Sequence, residues 1–433
     1  MMRLALALAV LTAGAFAFDP ASALDRLTGH GGPIHALAAE PDANTALSAS
    51  FDNSVGAWDL SDGTVRWLEG HAAAVKAVIA LPGQKAASAG DDFSVIIWDT
   101  AAGRPLHRLA GHRGSVAGLA VSADGTLLAS AGWDGRIGVW DVATGEHRSW
   151  LEGHDGSVNA VAFLGEGRLV SASADGTIRE WDVAAAREIR QLANHGFAVN
   201  VIAADPAAGW LAYGAVDGGT RVASLDDGRT LADLTLGRRP ILAMALSPDG
   251  TRLAVGDGEG HVMVVDTADW RIAHDSKVSA RGPVWALAFA GPHTVIAGGI
   301  DDMAALVPVT GAVEPLLGRS QREFLRNPDT MENGERQFRR KCSVCHTLTG
   351  DGARRAGPTL SNIFGRRAGV ISGYNYSPVL TGSTIVWTPE TLDALFEAGP
   401  EHYIPGSYMP MQRIISREDR ADLIRYLQQH TVE

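Results

Sequence analysis

A repeat of about forty residues constrains the fold of this chain more than any other feature. Gly-His pairs recur through the first part of the 433-residue sequence, and their histidines are 41, 41 and 42 residues apart. A period of this length is typical of stacked supersecondary units, none of which buries its apolar face alone. The sequence therefore predicts a repeat architecture, and the histidines that define its period are His30, His71, His112 and His154.

Each repeat also carries a Trp-Asp pair, with another aspartate six residues before the tryptophan. Between these markers, apolar runs such as VNAVAFL precede turn signals such as SADGT, and strands such as TIREWDV follow. That alternation predicts short antiparallel strands joined by tight turns. The tryptophans are Trp58, Trp98, Trp140 and Trp181, and the upstream aspartates are Asp52, Asp92, Asp134 and Asp175.

This pattern resembles the WD-repeat family, whose fold is a β-propeller with four antiparallel strands per blade. The resemblance covers about residues 24–317 and, with three degenerate later repeats, implies seven blades. In the sixth repeat Glu259 stands at the upstream acid position. ALDRLTGH before the first repeat and GAVEPLLG after the seventh both resemble an outer strand, and we expect the amino-terminal one to close the ring.

The recurrent histidines and aspartates have two interpretations, a catalytic or metal cluster and a structural network. Their recurrence once per blade places them in separate sheets, which favours the structural interpretation. A buried imidazole and a buried carboxylate can satisfy each other. In the family, a hydrogen-bonded tetrad forms inside each blade, and in the fourth blade it would join His154, Ser171 or Ser173, Asp175 and Trp181.

The sequence CSVCH at residues 342–346 contains the only two cysteines of the chain. This spacing predicts covalent attachment of one haem c through Cys342 and Cys345, with His346 as an iron ligand. A zinc site would need two further ligands, and a thioredoxin-like dithiol would need a surrounding βαβ pattern. A plain disulfide would not explain the adjacent histidine.

The stretch from residue 329 to the end resembles the class I cytochromes c of the mitochondrial and soluble bacterial type. NGERQFRRKCSVCH matches the first helix of that family and REDRADLIRYLQQH its last helix, with Gly334 and Phe338 facing Leu423 and Tyr426. The resemblance therefore implies a small all-α haem domain.

The loops of this stretch carry the other site residues that the resemblance implies. In GPTLSNIFGRRAG, Pro358 would accept the second N–H of His346, and in YIPGSYMPMQRI, Met409 would be the second iron ligand, with Met411 as a substitute. Packing of a core is the alternative role for these methionines. The residues matched to haem propionate contacts are Arg366, Tyr376 and Trp387.

Charge and the amino terminus limit the partners and the location. The net charge is −12, and no basic face suggests nucleic acid. Residues 1–23 have an early arginine, an apolar run and small residues, which predicts a signal peptide cleaved after Ala17 or Ala23. An uncleaved anchor is the alternative, but the run is shorter than the roughly 18 residues of a spanning helix. We expect a periplasmic or secreted chain without a membrane span once mature.

The predicted organisation is multidomain: a signal peptide at 1–23, an all-β seven-bladed propeller at 24–317, a linker at 318–328 and an all-α cytochrome c domain at 329–433. The predicted function is single-electron transfer, with the propeller docking redox partner proteins. The alternatives are a redox enzyme whose propeller holds a catalytic site drained by the cytochrome, and a redox sensor. The residues expected at the propeller mouth are His35, Phe51, Lys76, Trp133 and Trp285.

Overall fold

The computed structural model describes residues 24–40, 44–165, 167–237, 240–309, 315–317, 330–350, 354–409 and 412–431. The predicted signal peptide, the predicted linker and Met411 lie outside these ranges. Within them, the strands precede the helices along the chain. No helix of the described ranges is long and apolar enough to cross a membrane.

The strands of the described residues form seven four-stranded antiparallel sheets, as the repeat predicts. An initial strand, β1, spans Arg26–Thr28. The strands of the first four blades are β2 Ile34–Ala39, β3 Thr45–Ser50, β4 Ser54–Asp59, β5 Val65–Glu69, β6 Val75–Leu81, β7 Lys85–Gly90, β8 Val95–Asp99, β9 Arg104–Leu109, β10 Val116–Val121, β11 Leu127–Gly132, β12 Arg136–Asp141, β13 His147–Glu152, β14 Val158–Gly165, β15 Arg168–Ser173, β16 Thr177–Asp182 and β17 Arg187–Asn194.

The last three blades follow the same order. Their strands are β18 Val199–Asp205, β19 Trp210–Ala215, β20 Thr220–Ser224, β21 Thr230–Asp233, β22 Ile241–Leu246, β23 Arg252–Asp257, β24 His261–Asp266, β25 Ile272–Lys277, β26 Val284–Phe289, β27 Thr294–Gly299 and β28 Met303–Pro308. The first strands of neighbouring blades contact each other around the ring, including β2 with β26. They line a central channel of about 530 Å³.

The ring closes through its amino-terminal strand. β1 pairs antiparallel with β28, with Arg26 opposite Ala305, and completes the seventh blade. This pairing confirms the expectation for ALDRLTGH. Leu317 instead forms an isolated parallel bridge with Ser279. The pairing of β1 with β28 joins distant parts of the chain. It covers a sheet edge that would otherwise expose unpaired backbone N–H and C=O groups.

The predicted tetrad forms in each of the first four blades. In the fourth, His154 lies 2.8 Å from Asp175 through Nδ1 and 2.7 Å from the Ser171 hydroxyl through Nε2. The Trp181 indole N–H donates to the same hydroxyl at 2.7 Å. Ser171, rather than Ser173, is therefore the tetrad serine. The equivalent serines of the first three blades are Ser48, Ser88 and Ser130.

Two later blades depart from the tetrad in different ways. In the fifth, His195 faces Asp217 through Nε2 at 2.9 Å, while Arg221 lies 2.7 Å from its Nδ1. In the sixth, the buried acid is Asp257, two residues before the predicted position, whereas Glu259 is exposed. Asp257 accepts the Glu259 backbone N–H at 2.9 Å, so this turn is organised around the earlier carboxylate.

We expect Ser171→Ala to destabilise the propeller far more than Ser173→Ala, although both serines are fully buried. Loss of the Ser171 hydroxyl leaves two ring nitrogens without their partner, which costs about 3 kcal/mol. The Ser173 hydroxyl accepts the Asp175 N–H at 3.1 Å, so its loss affects a weaker contact. Guanidinium unfolding of the full chain, followed by tryptophan fluorescence, measures both; equal losses would contradict this role for Ser171.

The carboxy-terminal unit is helical, with five helices in the described residues. They are α1 Asn333–Lys341, α2 Pro378–Thr381, α3 Pro389–Ala398, α4 Pro400–Tyr403 and α5 Arg417–His430. α1 crosses α5 at Gly334, where a Cβ would lie 2.8 Å from that of Tyr426. The Phe338 and Tyr426 rings are 5.7 Å apart, and Leu423 is fully buried. The glycine and aromatic residues predicted for this crossing therefore meet there.

Candidate functional site

The CSVCH motif begins where α1 ends. The Cys342 N–H donates to the Phe338 carbonyl at 2.8 Å, and the His346 N–H donates to the Cys342 carbonyl at 2.8 Å. The Cys345 N–H also donates to the Cys342 carbonyl, at 3.0 Å, so both cysteines and the histidine are held in consecutive turns. Cys342 is buried in the core formed with α3 and α5, and both thiols are free. Burial raises the pKa of Cys342 to about 12 and that of Cys345 to about 11, so both are neutral at pH 7.

The His346 imidazole is held by a backbone carbonyl. Its Nδ1 donates to the Pro358 carbonyl at 2.7 Å, which is the contact that the sequence predicts. This hydrogen bond assigns the proton to Nδ1 and leaves Nε2 with a lone pair for a metal. Burial of His346 is the main cause of its lowered pKa, so the ring is neutral at pH 7, the form in which an imidazole can bind a metal.

Gly357 forms a second support for this imidazole. A Cβ at Gly357 would lie 2.7 and 2.8 Å from the two ring nitrogens of His346, so only glycine lets the backbone approach the ring. The Gly357 N–H donates to the Cys345 carbonyl at 2.7 Å, which ties this segment to the motif. Gly357 is not among the site residues predicted from the sequence, where its only signal is its place immediately before Pro358.

The other predicted residues lie around the same loop. The Arg366 guanidinium donates to the Thr359 carbonyl at 2.8 Å and also to the Ser361 carbonyl, so it braces the loop that follows Pro358. Tyr376 packs against Tyr374 with ring centroids 4.7 Å apart, and burial raises the pKa of both phenols. Tyr374, which is not among the predicted site residues, donates its hydroxyl to the Ala356 carbonyl.

Trp387 and Met409 pack against the core that contains Cys342. The Trp387 N–H donates to the Arg366 carbonyl at 2.9 Å, which joins the two predicted propionate residues through the backbone. The Met409 N–H donates to the Ser407 hydroxyl at 3.1 Å, and its side chain is half-buried. The propionate contacts of Arg366, Tyr376 and Trp387 and the ligand role of Met409 stay predictions.

The chemistry of these groups fits a covalently attached haem. Two neutral thiols stand in the attachment spacing, and a neutral imidazole beside them is fixed on one side by Pro358 and Gly357. The thioether of Met409 belongs to the same apolar cluster. Imidazole nitrogen and thioether sulfur are donors that haem iron accepts in proteins.

The residues predicted for the propeller mouth lie together at the central channel. His35 and Trp285 are stacked 5.1 Å apart, and Lys76 lies 5.6 Å from the centre of the Trp133 ring. The Phe51 ring lies 6.4 Å from that of His35. Burial, reinforced by the positive charge of Lys76, lowers the pKa of His35 to about 3, so this imidazole is neutral at pH 7.

Comparisons with known proteins match both units. The family model for cytochrome c matches residues 331–431, and the model for the WD domain, G-beta repeat, matches residues 22–59, 62–99, 103–141 and 145–182. The cytochrome c of Cannabis sativa is 37% identical over 105 residues, and that of Gossypium barbadense is 38% identical over 105 residues. Cytochrome c type-1 of Ascaris suum is 38% identical over 100 residues.

These relatives match 23% to 24% of this chain, whereas the chain covers 93% of the two plant sequences and 86% of the Ascaris sequence. Covalently attached haem c is the cofactor of such proteins, and Cys342 and Cys345 have the spacing for its attachment. The chain therefore belongs to the cytochrome c family through its carboxy-terminal haem domain, which follows a seven-bladed WD-repeat propeller.

Proposed function

We propose that this protein is a periplasmic or secreted electron carrier, with His346 and Met409 as the iron ligands and the propeller as a docking platform for redox partner proteins. The proposal rests on one observation: the Pro358 carbonyl holds the imidazole of His346 beside two cysteines that have the haem-attachment spacing. Haem c, when bound, supplies a one-electron couple between ferric and ferrous iron. The predicted signal peptide supports the location, because this haem is attached outside the cytoplasm.

The residues of the chain would keep this site rigid and dry. Pro358 and Gly357 fix the plane of the His346 ring, and the apolar cluster of α1, α3 and α5 encloses Cys342. Met409, which is half-buried on the loop after α4, would supply a thioether to the haem iron. With His346 and Met409 both bound to the iron, no place would be left there for a substrate, which favours electron transfer over catalysis at the haem.

Two exposed aromatic side chains support the docking role of the propeller. Trp133 is 49% exposed and Phe93 is 45% exposed, and each is next to the tetrad aspartate of its blade. Phe93 also has φ of 62°, a conformation that is strained for a bulky residue. The third and fourth blades have Gly135 and Gly176 at this position. The backbone conformation is therefore unfavourable for phenylalanine, and a role in binding would explain why this residue is there.

We expect Phe93→Asn combined with Trp133→Ala to slow electron transfer to a protein acceptor at least about tenfold by weakening docking. Asparagine occupies the first-blade equivalent with φ of 68°, and alanine occupies the fourth-blade equivalent of Trp133, so the fold tolerates both. Stopped-flow oxidation of the reduced full chain by a terminal oxidase from the same cells measures this rate.

Ferricyanide provides the matched control, because a small oxidant needs no docking surface. Its rate should be the same for the wild-type chain and the double variant. Unchanged oxidase rates in the variant would contradict a docking role for these aromatics. Oxidation that is slow with both acceptors in the wild-type chain would contradict the carrier function itself.

A further inference from the structure

A segment of the haem domain lies directly on the first blade of the propeller. The Arg354 guanidinium lies over the Trp67 ring, 4.5 Å from its centre, and also forms an ion pair with Glu69. Arg355 reaches the Gly31 carbonyl at 3.4 Å. These contacts come from residues 354–355, which end two residues before the Gly357 that supports the imidazole of His346.

The backbone of this segment fits closely against Gly31. A Cβ at Gly31 would lie 2.6 Å from the Arg355 nitrogen and still closer to the Arg354 carbonyl. Gly31 does not have a positive φ, so space rather than backbone conformation requires glycine there. The residue after the tetrad histidine is Ala72, Arg113 and Asp155 in the next three blades. The fold of a blade therefore accepts a side chain at this position, and the close contact at Gly31 belongs to the first blade.

The third blade shows what Arg354 replaces. There, Arg136 lies over the Trp150 ring, 4.2 Å from its centre, and 3.9 Å from Glu152. Arg136 begins β12 and pairs with Glu152 across the sheet. The same place in the first blade is Ser54, which begins β4 and pairs with Glu69.

The two blades are otherwise alike around this place. Trp67 packs edge-on against the tetrad tryptophan and histidine of the first blade, at 5.5 and 4.8 Å. Trp150 makes the same contacts in the third blade, at 5.7 and 4.9 Å. The first blade therefore has Trp67 and Glu69 in the places of Trp150 and Glu152, but it has Ser54 in the place of Arg136. Arg354 of the haem domain supplies the missing guanidinium.

We infer that the first blade is an intramolecular docking site for residues 354–355 of the haem domain, and that this contact fixes the haem domain on the propeller in one orientation. An exposed ion pair contributes little by itself, so the arginine stacked on Trp67 and the close backbone contact at Gly31 give the contact its specificity. Repeat equivalence puts Gly31 on the face of the propeller that carries Phe93 and Trp133. A protein bound to those aromatics would meet the haem domain on the same face.

Two variants of the full haem-loaded chain test this inference. Arg354→Ala removes the inserted side chain, whereas Ser54→Arg gives the first blade an arginine of its own, as in the third blade, and so excludes Arg354. We expect both to release the haem domain. Small-angle scattering should then give a larger maximum dimension, and amide exchange in residues 28–33 and 65–69 should rise about tenfold.

Arg136→Ala is the matched control, because it removes the equivalent stacked arginine inside the third blade. It should leave the maximum dimension and the exchange of the first blade unchanged. The inference would be overturned if the wild-type scattering already requires many domain orientations, or if neither Arg354→Ala nor Ser54→Arg changes the scattering and the exchange. Ser54→Arg also removes the hydrogen bond that the buried Ser54 hydroxyl donates to Asp52 at 2.6 Å. Far-ultraviolet circular dichroism therefore accompanies the scattering of both variants, and a changed dimension with an unchanged spectrum reports release alone.

Discussion

Met409→Ala is expected to abolish the far-red sulfur-to-iron absorption band of the oxidised protein and to lower its midpoint potential. A thioether ligand favours ferrous iron, so its loss stabilises the ferric form. The shift should be a sizeable part of the roughly 0.8 V range that axial ligands span in haem proteins. The half-buried side chain of Met409 packs on the edge of the apolar cluster, so its truncation should leave the helical domain folded.

Met411→Leu is the matched control, because Met411 follows Met409 by two positions in the sequence and is the substitute ligand that the resemblance suggests. It should keep the band and a potential close to that of the wild-type protein. The opposite pattern, with the band lost in Met411→Leu and kept in Met409→Ala, would transfer the ligand role to Met411. Spectra and potentiometric titration of the full chain distinguish the two results.

Gly357→Ala is expected to disrupt the iron-ligand side of the site through His346. The added methyl group would lie 2.7 and 2.8 Å from the ring nitrogens, so either the imidazole or the loop must move. Such overpacking costs about 2 kcal/mol. The movement would weaken the Nδ1 hydrogen bond to Pro358, so we expect less covalently attached haem, a mixed-spin spectrum and a lower unfolding temperature.

Gly382→Ala provides a control in the same domain. A Cβ at Gly382 would have its nearest neighbour at 4.0 Å, and this exposed glycine also lacks a positive φ. Haem content, the spectrum and the unfolding temperature should all match those of the wild-type protein. If Gly357→Ala behaves like Gly382→Ala in these three measurements, neither haem attachment nor stability depends on the close contact between Gly357 and the imidazole.

The first four blades could be predicted from the sequence because their stabilising contacts are made by side chains in fixed register. His154, Asp175 and Trp181 must each find a buried polar partner, so the residue types recur with the fold. The sixth blade shows the limit of this logic. Asp257 replaced the acid expected at Glu259, because the turn can place either carboxylate near the strand end and register alone does not distinguish them.

The haem site also combines residues that could be predicted from the sequence with residues that could not. Cys342, Cys345, His346 and Pro358 carry specific chemistry at short spacing, and the structure joins His346 to Pro358 as predicted. Gly357 acts by having no side chain, and a close approach of backbone to an imidazole has no compositional signature. The contact of Arg354 with the first blade joins residues 285 positions apart, and its signal is visible only when Ser54 is compared with Arg136.

We propose that the chain is a one-electron carrier in which His346 and Met409 would both bind the haem iron. A coulometric redox titration of the haem-loaded full chain, with optical spectra at each step, tests it most directly. We expect one electron per chain, a low-spin spectrum in both oxidation states and the far-red band in the oxidised form. More than one electron per chain, absorbance from a second chromophore or a high-spin ferrous haem that binds carbon monoxide would contradict it.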